Sequence, residues 1–317
     1  MKLRVFISLL GSGIVCLGLA AVSEATVPRA FVSINGSDTN PCSATMPCRS
    51  FNQALSVVES GGEIVVQDSG GYSTGFTISK SVTIDAAGFN ASVISLGAGD
   101  LCAIDTLATD RVVLRGISFH GAGVGTNAID VIEVGSLYVE HCSIAEFTGN
   151  GVTMPNGGNL FVTNSDVRKC GAAGLNVGTT SSLNANLVAQ DSRFTECDAP
   201  FAAGIALSTS GTGTASGWVT NCTASDGSIG FSVASTSGAS ADLTLTNCRA
   251  SGNGIGVLAS KGGAGSTTMR IAGCSVTKNG IGIDPFSGAT IIGTGPGTNF
   301  IAGNTTDGTT SSSVTLQ

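Results

Sequence analysis

Six cysteines recur at nearly constant intervals through the second half of the chain. Their spacings are 28, 27, 25, 26 and 26 residues. A period in the twenties is typical of a solenoid, in which each repeat forms one coil that cannot bury its apolar face alone and stacks on its neighbours. The spacing therefore constrains the fold more than any other feature. The six are Cys142, Cys170, Cys197, Cys222, Cys248 and Cys274.

Short stretches with apolar residues at alternate positions accompany the cysteines. Examples are Leu137 with Val139, Leu160 with Val162, and Leu243 with Leu245. Alternation with a period of two indicates a strand with one face turned inward. A second apolar residue follows a glycine later in each repeat, so each coil is predicted to carry at least two strands. We align Trp218 with the leucines that begin these stretches, which predicts that its ring packs in the core.

The composition favours an ordered solenoid of strands and turns. Glycine accounts for 46 of 317 residues, charged residues for 11%, and the mean hydropathy is +0.34. Glycine and asparagine suit turns that need a positive φ. A disordered chain rich in glycine and serine would lack both this hydropathy and the regular apolar pattern.

Residues 1–25 are predicted to be a secretory signal peptide. Lys2 and Arg4 precede an apolar run that extends to Ala21, and a cleavage site follows at the usual spacing. We therefore expect a secreted protein: extracellular, periplasmic or at the cell surface. No later stretch approaches the ~20 apolar residues of a membrane-spanning helix.

The charge of the mature chain disfavours some partners. Without residues 1–25 the chain keeps 12 basic and 20 acidic side chains, a formal charge of −8. Nucleic acid is excluded because no basic stripe is present to neutralise phosphates. The same repulsion counts mildly against an anionic polysaccharide, whereas an extracellular polysaccharide or cell-surface partner in general stays open.

An N-terminal cap is predicted over residues 26–62, followed by the solenoid over 63–317. Cys42 and Cys48 enclose a short loop, and in an oxidising compartment we expect a disulfide there, with two free thiols as the alternative. Ser50 and Gln53 form a capping box for an amphipathic helix that Gly61 would terminate. Such a helix would cover the open end of the first coil. Its apolar face comprises Phe51, Ala54, Leu55 and Val58.

These features together resemble a known family. The most specific stretch is the opening, with Gly36, Asp38, Asn40, Pro41, Cys42, Pro47, Cys48, Phe51, Ala54, Gly62, Glu63, Ile64, Gly71, Tyr72 and the ISKSVTID of residues 78–85. It is similar to bacterial secreted right-handed parallel β-helix proteins of the pectate-lyase-like superfamily, in an uncharacterised subgroup. The resemblance implies an all-β fold, a single right-handed parallel β-helix with an N-terminal capping helix. From the strand spacing and the coil length we expect about ten coils between Glu63 and the C-terminus. The resemblance implies almost nothing about chemistry.

Equivalent positions of successive coils should stack into columns. Asn164, Asn221 and Asn247 share one column and are predicted to form an asparagine ladder at a turn. His141 and Asp191 interrupt that column. A proton-transfer pair is the functional alternative for these two, but Asn164 lies between them, so we favour a structural role.

The cysteine columns raise the question of oxidation. We expect Cys222, Cys248 and Cys274 to stay reduced, as small buried hydrophobic residues. A disulfide is more plausible between Cys170 and Cys197, near a turn. Nine cysteines remain after removal of the signal peptide, so at least one is unpaired in a monomer, and Cys102 is the obvious candidate.

The catalytic sets of enzymes with this fold are absent or incomplete. Paired aspartates with Gly-His-Gly, the Asp-Pro-His sequence and the Arg-Pro-Trp signature are all missing. The best lyase candidates are Asp130 with Glu133, and Glu196 with Asp198 beside Arg193, each more simply a solvated turn. No cofactor- or metal-binding motif is present, and no catalytic residue is assigned.

The sequence therefore predicts a secreted or cell-surface β-solenoid that serves as a non-catalytic structural, interaction or glycan-binding surface. The alternative is a divergent polysaccharide lyase, hydrolase or epimerase that acts on an extracellular glycan. The ligand, the oligomeric state and the presence of any catalytic activity stay open at this level.

Overall fold

The computed structural model describes residues 26–294 and 298–314. The predicted signal peptide lies outside the described residues, as do residues 295–297 and 315–317. Within the described ranges, no helix is long and apolar enough to cross a membrane.

The described chain winds into a rod of parallel strands. Nine complete turns each place one strand in sheet 1, one in sheet 2 and one in sheet 3, and a partial tenth turn follows. Each strand pairs in parallel with the equivalent strand of the next turn, so the sheets run along the rod. The predicted fold, an all-β right-handed parallel β-helix with one N-terminal helix, is confirmed.

From Val58 to Phe286 the strands fall into the three sheets in strict rotation along the chain. Sheet 1 contains Val27–Val32, Val58–Val66, Val82–Asp85, Arg111–Arg115, Ser136–Glu140, Gly158–Thr163, Ala185–Gln190, Thr214–Thr220, Ser240–Thr246, Ser266–Ala272, Thr290–Thr294 and Ser312–Val314. Sheet 2 contains Gly70–Ser73, Ala91–Ile94, Ile117–His120, Ser143–Phe147, Asp166–Cys170, Arg193–Thr195, Thr223–Ser225, Arg249–Ser251, Ser275–Thr277 and Phe300–Ile301. Sheet 3 contains Phe76–Ile78, Cys102–Asp105, Ile129–Glu133, Val152–Met154, Leu175–Thr179, Ala203–Thr209, Ile229–Thr236, Ile255–Gly262 and Ile281–Phe286.

The core is a set of apolar columns inside the rod. In sheet 1, Leu137, Leu160 and Leu187 occupy equivalent positions of successive coils and are all fully buried. The alternate positions of the same strands face solvent, as the period of two requires. Each coil therefore buries its apolar side chains against the coils before and after it.

The helix extends from Phe51 to Val57 and begins where predicted. Ser50 is the N-cap, and its hydroxyl accepts a hydrogen bond from the backbone N–H of Gln53. The reciprocal half of the capping box is supplied by Asp38, whose carboxylate accepts the backbone N–H of Ser50. The predicted end at Gly61 is wrong, because the chain enters sheet 1 at Val58. Gly61 instead lies inside that strand with a φ of +83°.

The predicted loop between Cys42 and Cys48 is closed by a disulfide in the structure. The loop is also tied to the first strand of sheet 1. Phe31 donates its backbone N–H to the carbonyl of Cys42, and Cys48 donates to the carbonyl of Phe31. Strand, loop and helix thus cover the first full coil together.

A half-buried carboxylate anchors this N-terminal region. Asp68 accepts hydrogen bonds from the Ser33 hydroxyl at 2.6 Å, the Ile34 backbone N–H at 2.8 Å, and the Tyr72 hydroxyl. Burial by itself raises the pKa of Asp68, but the three donors outweigh it, so the pKa lies below its ordinary value. The ionised form of Asp68 is therefore the one that stabilises the fold.

We expect Asp68→Asn to lower the free energy of unfolding by about 2 kcal/mol at pH 7. Because the folded-state pKa is depressed, the ionised carboxylate stabilises the protein above its unfolded-state pKa, and this stabilisation disappears as the pH falls through the folded-state pKa. Urea denaturation should therefore show a difference between wild type and variant that shrinks in acid. Asp105→Asn, at an exposed carboxylate, is the control and should have little effect. A difference that is independent of pH would contradict the assignment.

Two corners of each coil after the first adopt the left-handed backbone conformation. The corner between sheets 1 and 2 includes His141, Asn164 and Asp191, with φ values of 53°, 49° and 50°. The corner between sheets 2 and 3 includes Glu146 and Lys169, with φ values of 65° and 53°. Asparagine and glycine adopt this conformation at low cost, which explains their recurrence at the first corner.

The predicted asparagine ladder is wrong in its position. Asn164, Asn221 and Asn247 are exposed at the first corner. Of these three, only Asn221 has a side chain that hydrogen-bonds to another described residue, Asp191. A buried ladder lies instead at the corner between sheets 2 and 3. There the Asn253 amide donates to Asn279, and the Asn279 amide donates to Asn304.

The evenly spaced cysteines belong to two columns. Cys170 ends a strand of sheet 2 and Cys197 follows one, whereas the other four follow strands of sheet 1. In the sheet 1 column, cysteine and serine side chains make the same hydrogen bond to the backbone. Cys142 donates to the carbonyl two residues before it at 3.4 Å, and Ser165 does so at 2.9 Å.

The stacked thiols are free in the structure, including Cys222, Cys248, Cys274, Cys170 and Cys197. Burial raises the pKa of Cys222 to about 11, so its sulfur stays protonated near neutral pH. A protonated thiol is what the donated hydrogen bond to Thr220 requires. This column therefore uses its sulfurs as small buried donors.

Candidate functional site

Trp218 lies on the outer surface of sheet 1 and is 55% exposed. The prediction that it packs in the core is wrong. The inward position of its strand is taken by Gly217, which pairs with Leu187 of the preceding coil and Leu243 of the next. Trp218 pairs with Val188 and Thr244, which both face outward. The alignment was therefore displaced by one residue, and a displacement of one residue exchanges the two faces of a strand.

Three more apolar side chains precede Trp218 in the same outward column, one in each coil. Tyr138 and Phe161 stack with their ring centroids 4.5 Å apart and their planes 8° apart. The Arg111 guanidinium covers Tyr138 at 4.5 Å from the ring centroid. Val188 follows Phe161 and precedes Trp218. We call this column the aromatic stripe: Tyr138, Phe161, Val188 and Trp218.

Trp218 differs from the other two rings of the aromatic stripe. The faces of Tyr138 and Phe161 are engaged with each other and with Arg111. Trp218 has no aromatic or cationic partner among the described residues, and its neighbours in the column are the smaller Val188 and Thr244. Its indole is therefore available for contact with a ligand.

Polar side chains flank the aromatic stripe on both sides. Asn159, Asn186 and Ser216 form one column, and Thr163, Gln190 and Thr220 form the other. With Phe161, Val188 and Trp218 between them, these side chains cover three consecutive coils and none is charged. We call this set of nine side chains the uncharged face.

Charged side chains of sheet 1 on either side of the uncharged face are held in ion pairs or, for Arg111, against the Tyr138 ring. On one side, Arg115 binds Asp85 at 2.9 Å and Glu140 at 2.8 Å. Beyond the other side, the Arg270 guanidinium binds the Asp242 carboxylate. These pairs leave the uncharged face without a free cation or anion of its own.

A polar groove of about 490 Å³ lies at the corner between sheets 1 and 2. It brings His141 and Asp191 to the same wall, with Asn164 in the coil between them. Arg193 and Glu196, which the sequence pointed to as lyase candidates, also line the groove. Asp198, the third member of that candidate set, does not line it.

Three of the charged side chains of this corner groove pair with one another. Asp166 binds Arg168 at 2.6 Å and lies 3.9 Å from Arg193. Arg193 is largely exposed, so its attraction to Asp166 is weak. The described part of the chain contains no group of three or more His, Cys, Asp or Glu side chains placed to hold a metal ion.

The other lyase candidates, Asp130 and Glu133, lie on one strand of sheet 3, away from the corner groove. Burial raises the pKa of Asp130, and the carboxylate of Asp100 raises it further. Asp130 therefore has a second carboxylate as its charged neighbour, and neither carboxylate pairs with the Arg or Lys base expected of a lyase among the described residues. Of the lyase candidates, the structure thus brings together only Arg193 and Glu196, in the corner groove that His141 and Asp191 also line.

Comparison with known proteins identifies the scaffold. A family model described as the right-handed β-helix region matches residues 64–239, more than half of the chain. The chain belongs to the right-handed β-helix family. No curated protein matches it significantly.

Two solved structures align with most of this right-handed β-helix protein. The pectate lyase Pel9A aligns over 92% of this chain and 79% of its own, with a TM-score of 0.60 and 18% sequence identity. A rhamnogalacturonan lyase aligns over 84% of this chain and 74% of its own, with a TM-score of 0.30 and 12% identity. At 18% identity, the similarity to Pel9A shows a shared fold alone.

Proposed function

We propose that this right-handed β-helix protein is a secreted, non-catalytic glycan-binding protein whose binding surface is the uncharged face. One observation carries the proposal: the only tryptophan of the chain is exposed on the outer surface of sheet 1, with hydrogen-bonding columns on both sides. Tryptophan combines an apolar ring with a polar N–H and suits surfaces where a ligand has both apolar and polar parts. A sugar ring has such parts, with C–H groups on its faces and hydroxyls around its edge.

The similarity to a pectate lyase structure supports a polysaccharide ligand by analogy of fold. The site itself supports binding over cleavage. The uncharged face has no carboxylate, histidine, lysine or arginine, the side chains that usually transfer protons in glycan cleavage. Secretion, which residues 1–25 predict, would place this surface among extracellular glycans.

The proposal is tested by titrating the purified protein with a panel of neutral and acidic oligosaccharides. Since Trp218 is the only tryptophan, any change in its emission reports directly on the uncharged face. We expect at least one glycan to shift that emission. Trp218→Ala should weaken binding of the same glycan at least tenfold in calorimetry, because a central aromatic residue commonly dominates a binding surface.

Phe286→Ala is the matched control for this substitution. Phe286 is similarly exposed at the end of a sheet 3 strand, away from the uncharged face, and its loss should leave the affinity unchanged. Failure of every glycan in the panel to bind would overturn the proposal. Equal losses with both variants would show that the effect is not specific to the uncharged face.

A second candidate function, polysaccharide cleavage, rests on the corner groove. There the exposed Arg193 lies beside Glu196, and an arginine base with acidic neighbours is the arrangement expected of a lyase. The test is the release of unsaturated or reducing-end products from the same glycan panel. Products that appear with wild type and not with Arg193→Ala would favour this function over simple binding.

A further inference from the structure

We propose that the ligand of the uncharged face is a neutral, extended polysaccharide that lies along the rod axis and contacts three or more consecutive coils. This inference rests on the proposed glycan-binding function and specifies the class and direction of the ligand. Three properties of the uncharged face lead to it: its charge, its repeat and its unused hydrogen-bonding groups.

The charge of the uncharged face selects against acidic sugars. Recognition of a carboxylate normally uses a free arginine or lysine, most strongly through paired hydrogen bonds. The guanidinium groups of sheet 1 around this face are already engaged: Arg111 lies over the Tyr138 ring, and Arg115 and Arg270 are bound by Asp85, Glu140 and Asp242. A uronate chain would lose hydration at this surface without gaining a cation, whereas a neutral chain has no such cost.

The repeat of the uncharged face matches a ligand with a repeat of its own. Successive coils are ~4.8 Å apart, which is similar to the length of one sugar unit in an extended chain. Each of the three coils presents the same cross-section: an amide or hydroxyl, a central apolar side chain, and then another hydroxyl or amide. A chain along the rod axis meets this pattern once per sugar, whereas a chain across the rod meets it once in total.

The hydrogen-bonding groups of the uncharged face are partly committed and partly free. Asn186 donates to Asn159 at 3.0 Å, and Asn159 donates to the carbonyl of Gly135 at 2.6 Å. This chain of amides holds Asn186 in place and leaves its carbonyl oxygen as an acceptor. The side chains of Gln190, Ser216 and Thr220 form no hydrogen bond with any described residue. Acceptors and donors therefore remain on both sides of Trp218.

The experiment uses the emission of Trp218 with neutral β-1,4-linked oligomers of glucose, xylose and mannose, and with oligogalacturonate of equal length. We expect a neutral hexasaccharide to bind at least tenfold more tightly than its disaccharide, since the longer chain reaches more coils. Its affinity should change less than about twofold between 0.05 and 0.5 M salt, because no ion pair forms. Oligogalacturonate should bind at least tenfold more weakly.

A variant distant from Trp218 tests the direction of the chain. Thr163 lies two coils, roughly 10 Å, before the coil of Trp218. Thr163→Ala should weaken the hexasaccharide two- to threefold and leave the disaccharide unchanged. Thr277→Ala, on the outer face of sheet 2, is the control and should alter neither.

Each contrary result identifies which claim fails. Preferential binding of oligogalacturonate would overturn the neutral ligand and retain glycan binding. Equal affinities for disaccharide and hexasaccharide, or no effect of Thr163→Ala, would overturn the axial direction. Absence of binding by every glycan would overturn the proposed function together with the inference.

Discussion

Replacing Asn279 with leucine is expected to lower the free energy of unfolding by about 4 kcal/mol, since it leaves buried backbone groups unpaired. Asn279 is only 2% exposed. Its amide donates to the carbonyl of Ala250 at 3.1 Å, and its carbonyl oxygen accepts the backbone N–H of Asn253 at 2.9 Å. Leucine has a similar size but offers neither group, so both backbone partners would remain buried without a hydrogen bond.

The measurement is urea denaturation followed by far-ultraviolet circular dichroism, comparing midpoint and slope. Asn247→Gly is the matched control at the other corner, because Asn247 is exposed and glycine adopts its φ of 52° freely. We expect a change of less than about 1 kcal/mol there. Similar losses for both variants would show that the buried ladder has no special role.

Truncating Phe194 to alanine should cost about 4 kcal/mol, the usual range for a large aromatic residue in a tight core. Phe194 is 1% exposed and lies beside two glycines. A Cβ atom at Gly174 would lie 3.0 Å from the Phe194 ring, and one at Gly204 would lie 3.1 Å from its Cβ. The next residue of its column, Ala224, is too small to fill the space left behind.

Phe161→Ala removes the same atoms from the outer surface and provides the comparison. Phe161 is half-buried and stacks on Tyr138, so we expect a loss of about 1 kcal/mol. The same denaturation experiment serves for both variants. A loss for Phe161→Ala as large as that for Phe194→Ala would mean that the outer stripe contributes to stability like a second core.

The fold was predictable because a solenoid repeats its signals. Each coil shows the same alternation and the same small residue after the strand, so errors in one coil are corrected by the next. The six evenly spaced cysteines come from two different columns, but treating them as one series still gives the correct coil length. Cys170 and Cys197 belong to a different column from Cys142, but both columns repeat once per coil.

The candidate site was less predictable because it depends on exceptions to the repeat. The sequence pattern predicts a core position for Trp218 because Trp218 begins a stretch that elsewhere begins with leucine. Counting back four residues from the following cysteine aligns it instead with Thr244, an outward position. The spacing to the cysteine therefore indicates an outward position. The apolar alternation does not, because the inward residue of this strand is Gly217 where other coils have leucine.

The buried asparagines were missed for a related reason. Both corners of the coil accept asparagine, and the sequence does not show which corner is covered by neighbouring chain. Asn253, Asn279 and Asn304 recur at intervals of 26 and 25 residues, the coil period, within glycine-rich stretches that resemble ordinary turns. Burial at that corner depends on packing in three dimensions, which only the structure provides.

The direction of the backbone hydrogen bonds has a mechanical consequence. In all three sheets these hydrogen bonds join one coil to the next and therefore point along the rod axis. Tension along the rod stretches each bond along its own direction and does not slide strands past each other. Only the bonds of a single coil boundary must break at a time. We therefore expect such a rod under force to unwind stepwise, each step freeing about 26 residues of chain near Cys222, Cys248 and Cys274.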